Sequence, residues 1–354
     1  MTSTVKHAHW RSKWRCPSNI ALVKYWGKRD FQKPMNPSLS FGLQNSYTET
    51  LVELHKDGDQ KVEFYFEDVA STFGDRIEKY LDHISGKLPW VNKYNFRIYS
   101  HNSFPHSAGI ASSASSFGAL ALCLTEIDFA LSGKEINCPE FWQKASELAR
   151  MGSGSACRSV YAGFAIWGKT QLFESCSDEH ATPVSEGIHP LFYGLRDAIL
   201  LVDSGVKEVS SSEGHRLMDA HIFQRSRIAQ AHENINGLYL ALLTGSQEKF
   251  IEIVENEALC LHAMMMTSNP SFILLKPNSL ELIIRIRRFR EKSGIPVCFT
   301  IDAGPNIHLL YFQDNELDVK AFIERELLVF CENGRWIDDR IGSGASPYPS
   351  KGGE

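Results

Sequence analysis

Apolar and polar residues alternate with a period of two along residues 48–54 and again along 61–66. That is the pattern of half-buried strands, because successive strand side chains point to opposite faces. Lys56-Asp-Gly-Asp59 between them is rich in turn formers, so the two runs are predicted to pair as a hairpin. A helix is predicted over 71–84 and a strand over 94–99. Residues 118–124 are small or apolar on every side, as in a helix buried all round. Helical spacing returns at 141–149, and 163–168 reads as a buried strand. Residues 170–192 are polar and irregular, whereas 197–202 is a clear strand. Helices dominate thereafter. Phe250, Ile253, Val254, Leu261 and Met265 share one helix face, and Leu282, Ile283, Ile286 and Phe289 another. Ser279 is the expected N-cap of the second of these helices, and Gly294 lies just past its end. The Met264-Met-Met266 triplet reads as packing core. Upstream, residues 1–15 form a polar, basic leader, and a Pro17-Ser-Asn19 turn leads into the short apolar run 20–23. Residues 34–43 read as a loop re-entering a strand.

Composition narrows the class without naming an activity. A chain of 354 residues is long enough for two domains, and the boundary is placed at 195/196, before the strand at 197–202. Hydrophobic residues make up 43% and charged residues 22%, as in an ordinary globular protein. The net charge of −5 argues against nucleic acid as a bulk partner. No run of about 18 apolar residues is present, so no membrane span is expected, and the first residues lack the apolar core of a secretory signal. Eight cysteines are scattered with no C-x-x-C pair, which suits reduced thiols in the cytoplasm better than a disulfide frame or zinc site.

Four stretches carry candidate chemistry. The first runs from Phe104 to Phe117 and includes Pro105, Ser107, Gly109, Ser112, Ser113, Ser115 and Ser116. A loop opening a helix offers unpaired N–H groups and a positive dipole end to a phosphate, and the hydroxyls add donors and oxygen ligands for magnesium. The same stretch also reads as a plain capped helix. In Lys24-Tyr-Trp-Gly-Lys-Arg29, cations are interleaved with aromatic rings; this could bind a polyanion, but in isolation reads rather as a solvated basic turn. Gly152-Ser-Gly-Ser-Ala-Cys-Arg158 gathers Ser153, Ser155 and a guanidinium, which suits a carboxylate or phosphate, or else a linker. Asp302-Ala-Gly-Pro-Asn306 puts a carboxylate where a strand enters a turn, as a base or as a brace for the turn. A further cluster, Ser210 to Ser212, reads by itself only as a helix cap.

As a set, and in this order along the chain, these stretches resemble the diphosphomevalonate decarboxylase family, within the superfamily of galactokinase, homoserine kinase, mevalonate kinase and phosphomevalonate kinase. The resemblance extends from about Cys16 to Gly344. It implies an α+β fold of two domains, ribosomal protein S5 domain 2-like followed by ferredoxin-like, with the active site in the cleft between them. The implied reaction is ATP- and magnesium-dependent decarboxylation of (R)-5-diphosphomevalonate, by a cytoplasmic homodimer. Asp302, Arg158 and Lys24 would be catalytic. Tyr25, Lys28, Ser153, Ser155, Arg158, Ser210 and Ser211 would bind substrate. Pro105, Ser107, Gly109, Ser112, Ser113 and Ser115 would bind the nucleotide, with Ser113 on the metal. Ala258 and Cys260 stand where some members carry a serine, so no substrate contact is assigned there. Three alternatives remain: a kinase that stops after phosphorylation, a decarboxylase of the monophosphate, and a nucleotide-binding protein without turnover. Arg158 and Asp302 together favour decarboxylation, because a plain kinase has less need to pin a carboxylate.

Overall fold

Two long strands organise the N-terminal part: β1 (Trp10–Val23) and β2 (Ser38–His55) pair antiparallel along most of their length. The computed structural model describes residues 10–58, 60–105, 112–136, 138–205, 209 and 211–348. The basic leader therefore contains structure: residues 10–15 are strand, and Pro17-Ser-Asn19 is an irregularity within β1, where the register shifts, not a turn ahead of it. Pro17 cannot donate to the ladder, which is why a register shift falls there.

The expected hairpin does not form. After β2 come β3 (Val62–Phe66), β4 (Val69–Ala70), α1 (Gly74–Ile84) and β5 (Asn95–Asn102). Strand β5 inserts between β2 and β3, antiparallel to the first and parallel to the second. Alternation identified both runs as strands but carries no information about the partner. Next follow α2 (Ser112–Leu131), α3 (Pro139–Gly152), α4 (Ala156–Ser159), β6 (Phe164–Trp167) and β7 (Ala181–Val184), the last inside a segment expected to be irregular. β6 pairs with the first residues of β2 and with β7.

Helix α2 packs against β1 and β2 at close range. A Cβ on Gly118 would lie 2.4 Å from Cys16 Sγ, so only glycine admits this approach. By length and composition α2 is apolar enough to cross a membrane, yet 72% of its most apolar window is buried inside the protein. Its Leu120, Leu122, Leu124 and Phe117 join β1, β5 and α3 in one core. Full burial of such a side chain contributes about 1.5–3 kcal/mol.

The C-terminal part holds β8 (Leu195–Leu200), α5 (Ser211–Arg216), α6 (Gln224–Thr244), α7 (Gln247–Met266), α8 (Pro277–Ser293), β9 (Cys298–Thr300), β10 (Ile307–Phe312), α9 (Glu316–Phe322), β11 (Trp336–Arg340) and β12 (Ser346–Pro347). Strands β11-β8-β10-β9 form an antiparallel sheet, and β12 returns to pair with β1. One face of this sheet (Ile199, Leu310, Phe312) packs with α6, α7 and residues of β1 and β2 in a shared core. The other face packs on α8 and α9. Ser279 is not the N-cap of α8: the helix starts at Pro277, and the Ser279 hydroxyl accepts from Lys276 N–H and donates to Pro305 O. Gly294 does end the helix, with a left-handed φ of 73°.

Candidate active site

Lys24 follows the last residue of β1 directly and is 1% exposed, so its cation is no solvated turn residue. Its Nζ donates to Asp302 Oδ1 at 2.8 Å. Asp302 stands in the turn between β9 and β10, with its side chain 27% exposed, enough for a substrate to reach it. His262 Nε2 lies 3.1 Å from Asp302 O, tying that turn to α7. Burial lowers the pKa of Lys24, and Arg158 lowers it further; the Asp302 and Glu257 carboxylates oppose both.

The Lys24 backbone is held as firmly as its side chain. Its N–H donates to Glu257 Oε2 at 2.8 Å, and its carbonyl accepts from Asn36 Nδ2 at 2.9 Å and Arg227 Nη2 at 3.1 Å. Arg227 and Glu257 form a bidentate pair at 2.9 and 2.6 Å, and Asn234 Nδ2 donates to Glu257 Oε1 at 2.6 Å. None of these residues was singled out from the sequence. A usable signal was present: Glu257 falls in the apolar stripe of α7, four residues from both Ile253 and Leu261. Arg227 likewise extends the buried row of Ala231, Ile235 and Leu238 on α6.

Arg158, on the single turn of α4, is 2% exposed. One Nη bonds the Ser38 hydroxyl, the other reaches Asn19 Oδ1 at 3.3 Å, and Nε is buried without a hydrogen-bond partner. Desolvation lowers its pKa against the pull of Cys157, Asp302 and Tyr25. A buried guanidinium whose hydrogen-bond partners are neutral and whose Nε is an orphan has chemistry suited to an arriving anion. Asn19 also donates to Ser159 Oγ and Ser155 O, so β1 and α4 are pinned together here.

The serine stretches converge on the same region. Ser153 ends α3, and its hydroxyl lies 3.3 Å from that of Ser113 at the start of α2. Ser155 immediately precedes α4, and Ser112 opens α2. Ser115 is different: it is fully buried against the sheet, 2.6 Å from Thr48 Oγ1, and donates to Ser112 O. Pro105 is exposed ahead of the helix. Ser107, Gly109 and Ser210 lie outside the described residues; Ser211 opens α5, and its side chain is likewise outside them.

Tyr25 packs its ring 4.7 Å from Trp167 and 4.4 Å from His215, and its buried hydroxyl has no hydrogen-bond partner; burial raises its pKa. His215 is clasped between Tyr25 and Trp26, accepts from Gly27 N–H at 3.0 Å through Nδ1, and is pushed down to a pKa of about 3 by burial and by Lys28. Lys28 is half-buried, with its pKa lowered by burial and by Arg76 of α1. Arg76 is itself partly desolvated, lies over the Phe73 and Phe117 rings, and has no carboxylate partner among the described residues. Arg29, by contrast, is engaged by Pro34 O and Asp178.

A helix start rich in hydroxyls, a buried lysine on an aspartate and a buried arginine thus meet between an N-terminal α+β unit and an antiparallel C-terminal sheet. That defines the class: a two-domain α+β protein whose charged groups and serine-rich helix start face one another between the two units. Within it, a family model described as the diphosphomevalonate decarboxylase-like N-terminal domain matches residues 16–178, and one for the mevalonate 5-diphosphate decarboxylase C-terminal domain matches 198–339. The diphosphomevalonate decarboxylase of Debaryomyces hansenii is 28% identical over 326 residues, 87% of this chain and 81% of that one. A phosphomevalonate decarboxylase of Haloferax volcanii is 30% identical over 293 residues, 81% of this chain and 84% of that one. A solved complex of MDDEF with MVAPP, AMPPCP and magnesium superposes with a TM-score of 0.82 at 30% identity, covering 96% of this chain and 99% of that one. The chain belongs to the diphosphomevalonate decarboxylase family.

Proposed function

We propose that the chain decarboxylates (R)-5-diphosphomevalonate with ATP, giving isopentenyl diphosphate, ADP, phosphate and carbon dioxide. One observation carries the reading: Asp302, Lys24 and the incompletely satisfied Arg158 converge from three distant stretches of chain. In the reaction the tertiary hydroxyl of the substrate takes the terminal phosphoryl group of ATP and gives up its proton. The C–O bond then breaks with its electrons leaving on phosphate, and the C–C bond to the carboxylate breaks to form the alkene. Asp302 orients the hydroxyl, receives its proton and faces the carbon that becomes electron-poor. Lys24 offsets charge beside the transferring group. Arg158 holds the substrate carboxylate in line for loss.

Lys28 and Arg76 supply two neighbouring cations for the substrate's diphosphate, which favours the diphosphate over the monophosphate. Ser153, Ser155 and Tyr25 are assigned to the substrate, and the family resemblance supports the same role for Ser210 and Ser211. Ser112 and Ser113, with the N–H groups of the first turn of α2, hold the nucleotide phosphates. Ser113 would offer its hydroxyl oxygen to magnesium, a cation that takes few protein ligands when phosphates are present. When bound, magnesium neutralises phosphate oxygens. The division at residue 195/196 would place the ATP-binding half before the half that carries Asp302. The eight free cysteines support a cytoplasmic setting, and the family resemblance supports a homodimer.

Asp302→Ala is expected to retain ATP binding and lose about 10³-fold in turnover, the scale for removing a group aimed at developing charge. Calorimetric ATP titration beside steady-state kinetics checks it; near-full turnover would remove Asp302 from the chemistry.

A further inference from the structure

We infer that Arg227 and Glu257 are positioning residues for catalysis, a buried pair that grips the peptide groups on both sides of Lys24 and aims its ammonium at Asp302. The inference rests on the reading of Lys24 and Asp302 given above and extends it to residues that touch no substrate.

Glu257 is 0% and Arg227 3% exposed, and burying such a pair costs several kcal/mol per ion unless its polar atoms are well used. Here most of them are used, and two bonds go to a single residue of another unit. Glu257 Oε2 accepts from Lys24 N–H and Arg227 Nη2 donates to Lys24 O. The carboxylate accepts four bonds in all, from Lys24, from both Nη atoms of Arg227 and from Asn234. Apolar residues of similar volume would fill the space between α6 and α7 equally well, so packing alone gives no reason for an ion pair.

The placement matters because Lys24 lies just beyond the last residue of β1, where sheet pairing no longer fixes the chain. Its neighbour Gly27 has a φ of 88°, and β2 does not begin until Ser38. The pair does for this residue what a ladder does for a strand residue, fixing both the N–H and the C=O. The charges facing the Lys24 ammonium are Asp302 from the β9–β10 turn, Glu257 from α7 and Arg158 from α4, with Arg227 of α6 behind Glu257. Glu257 therefore favours the charged form of Lys24 as well as holding its backbone.

The test is Glu257→Gln, of almost the same volume, read by the pH dependence of kcat and by a cycle with Lys24→Ala. Expected is a fall in kcat of about 10- to 100-fold, the cost of a small misplacement, with KM values changed by less than about 3-fold. The alkaline limb of kcat is expected at lower pH, because a negative charge favouring the ammonium is gone. In the Lys24→Ala background, Glu257→Gln is expected to cost nothing more. A wild-type kcat and alkaline limb, or an equal loss in both backgrounds, overturns the positioning role. Arg227→Lys is the second variant: it keeps a cation on Glu257 and loses the bond to the Lys24 carbonyl. It decides the question if Glu257→Gln does not fold, with a several-fold lower kcat expected and a wild-type kcat overturning the role. If Lys24→Ala itself turns over normally, the decarboxylase reading of Lys24 fails, whatever the other variants do.

Discussion

His215 shows how burial turns a common side chain into a fixed acceptor. Its ring sits between Tyr25 and Trp26, and Nδ1 must stay unprotonated to accept from Gly27 N–H. The unfolded chain takes up this proton near 6.5, the folded chain only near 3. The stabilisation is therefore complete above about 6.5 and is lost as pH falls towards 3. His215→Asn keeps an acceptor and removes the titration, so its stability is expected to decline less steeply than wild type between about pH 7 and 5 in urea unfolding. Parallel declines would contradict the assignment. At this scale Asp302, Arg158 and Lys24 were legible as candidates, because each stands in a motif with a polar or glycine-rich surround, and the structure brings the three together. Lys24 by itself read rather as a solvated basic residue; only packing from α6 and α7 reveals it as buried. Arg227, Glu257, Asn19, His215 and Arg76 were not legible as site residues. None lies in the four stretches with candidate chemistry, and most have partners distant in sequence: Arg227 reaches Lys24 across 203 positions.

Elements were easier to read than their pairing. The helix over 71–84 and the strands at 94–99, 163–168 and 197–202 follow directly from local periodicity. The hairpin expected between 48–54 and 61–66 fails because β5, from later in the chain, pairs better between them than they do with each other. Short alternations in polar surroundings, such as β7, give too few residues for a pattern. Within α2, the stretch of small residues is explained by proximity: Gly118 lets the helix touch β1 at Cys16. Gly118→Ala is expected to destabilise the fold by about 1–3 kcal/mol, as overpacking does. Gly86→Ala, where a Cβ meets nothing within 4 Å, is expected to stay near wild type in the same thermal melts. Equal melting of the two variants would show that α2 can move away from β1. Buried charge recurs in the second sheet, where His308 Nδ1 lies 2.8 Å from Asp197, and Asp197 faces Asp339 across the strands. Asp339 in turn accepts from Gln44 and Asn45 of β2, joining the two sheets away from the cleft.

Across the whole molecule, the two units share one apolar core, and the proposed catalytic groups sit where their edges meet. Lys24 and Arg158 come from the first unit, Asp302 and its backbone support from the second, so neither unit alone holds the site. The most direct test supplies purified protein with ATP, magnesium and (R)-5-diphosphomevalonate and quantifies ADP and carbon dioxide in the same reaction. Equal amounts of the two are expected, since on the proposed mechanism phosphorylation is followed by loss of the carboxylate assigned to Arg158. ADP without carbon dioxide would contradict this: the protein would be a kinase, and the buried arginine would need another partner.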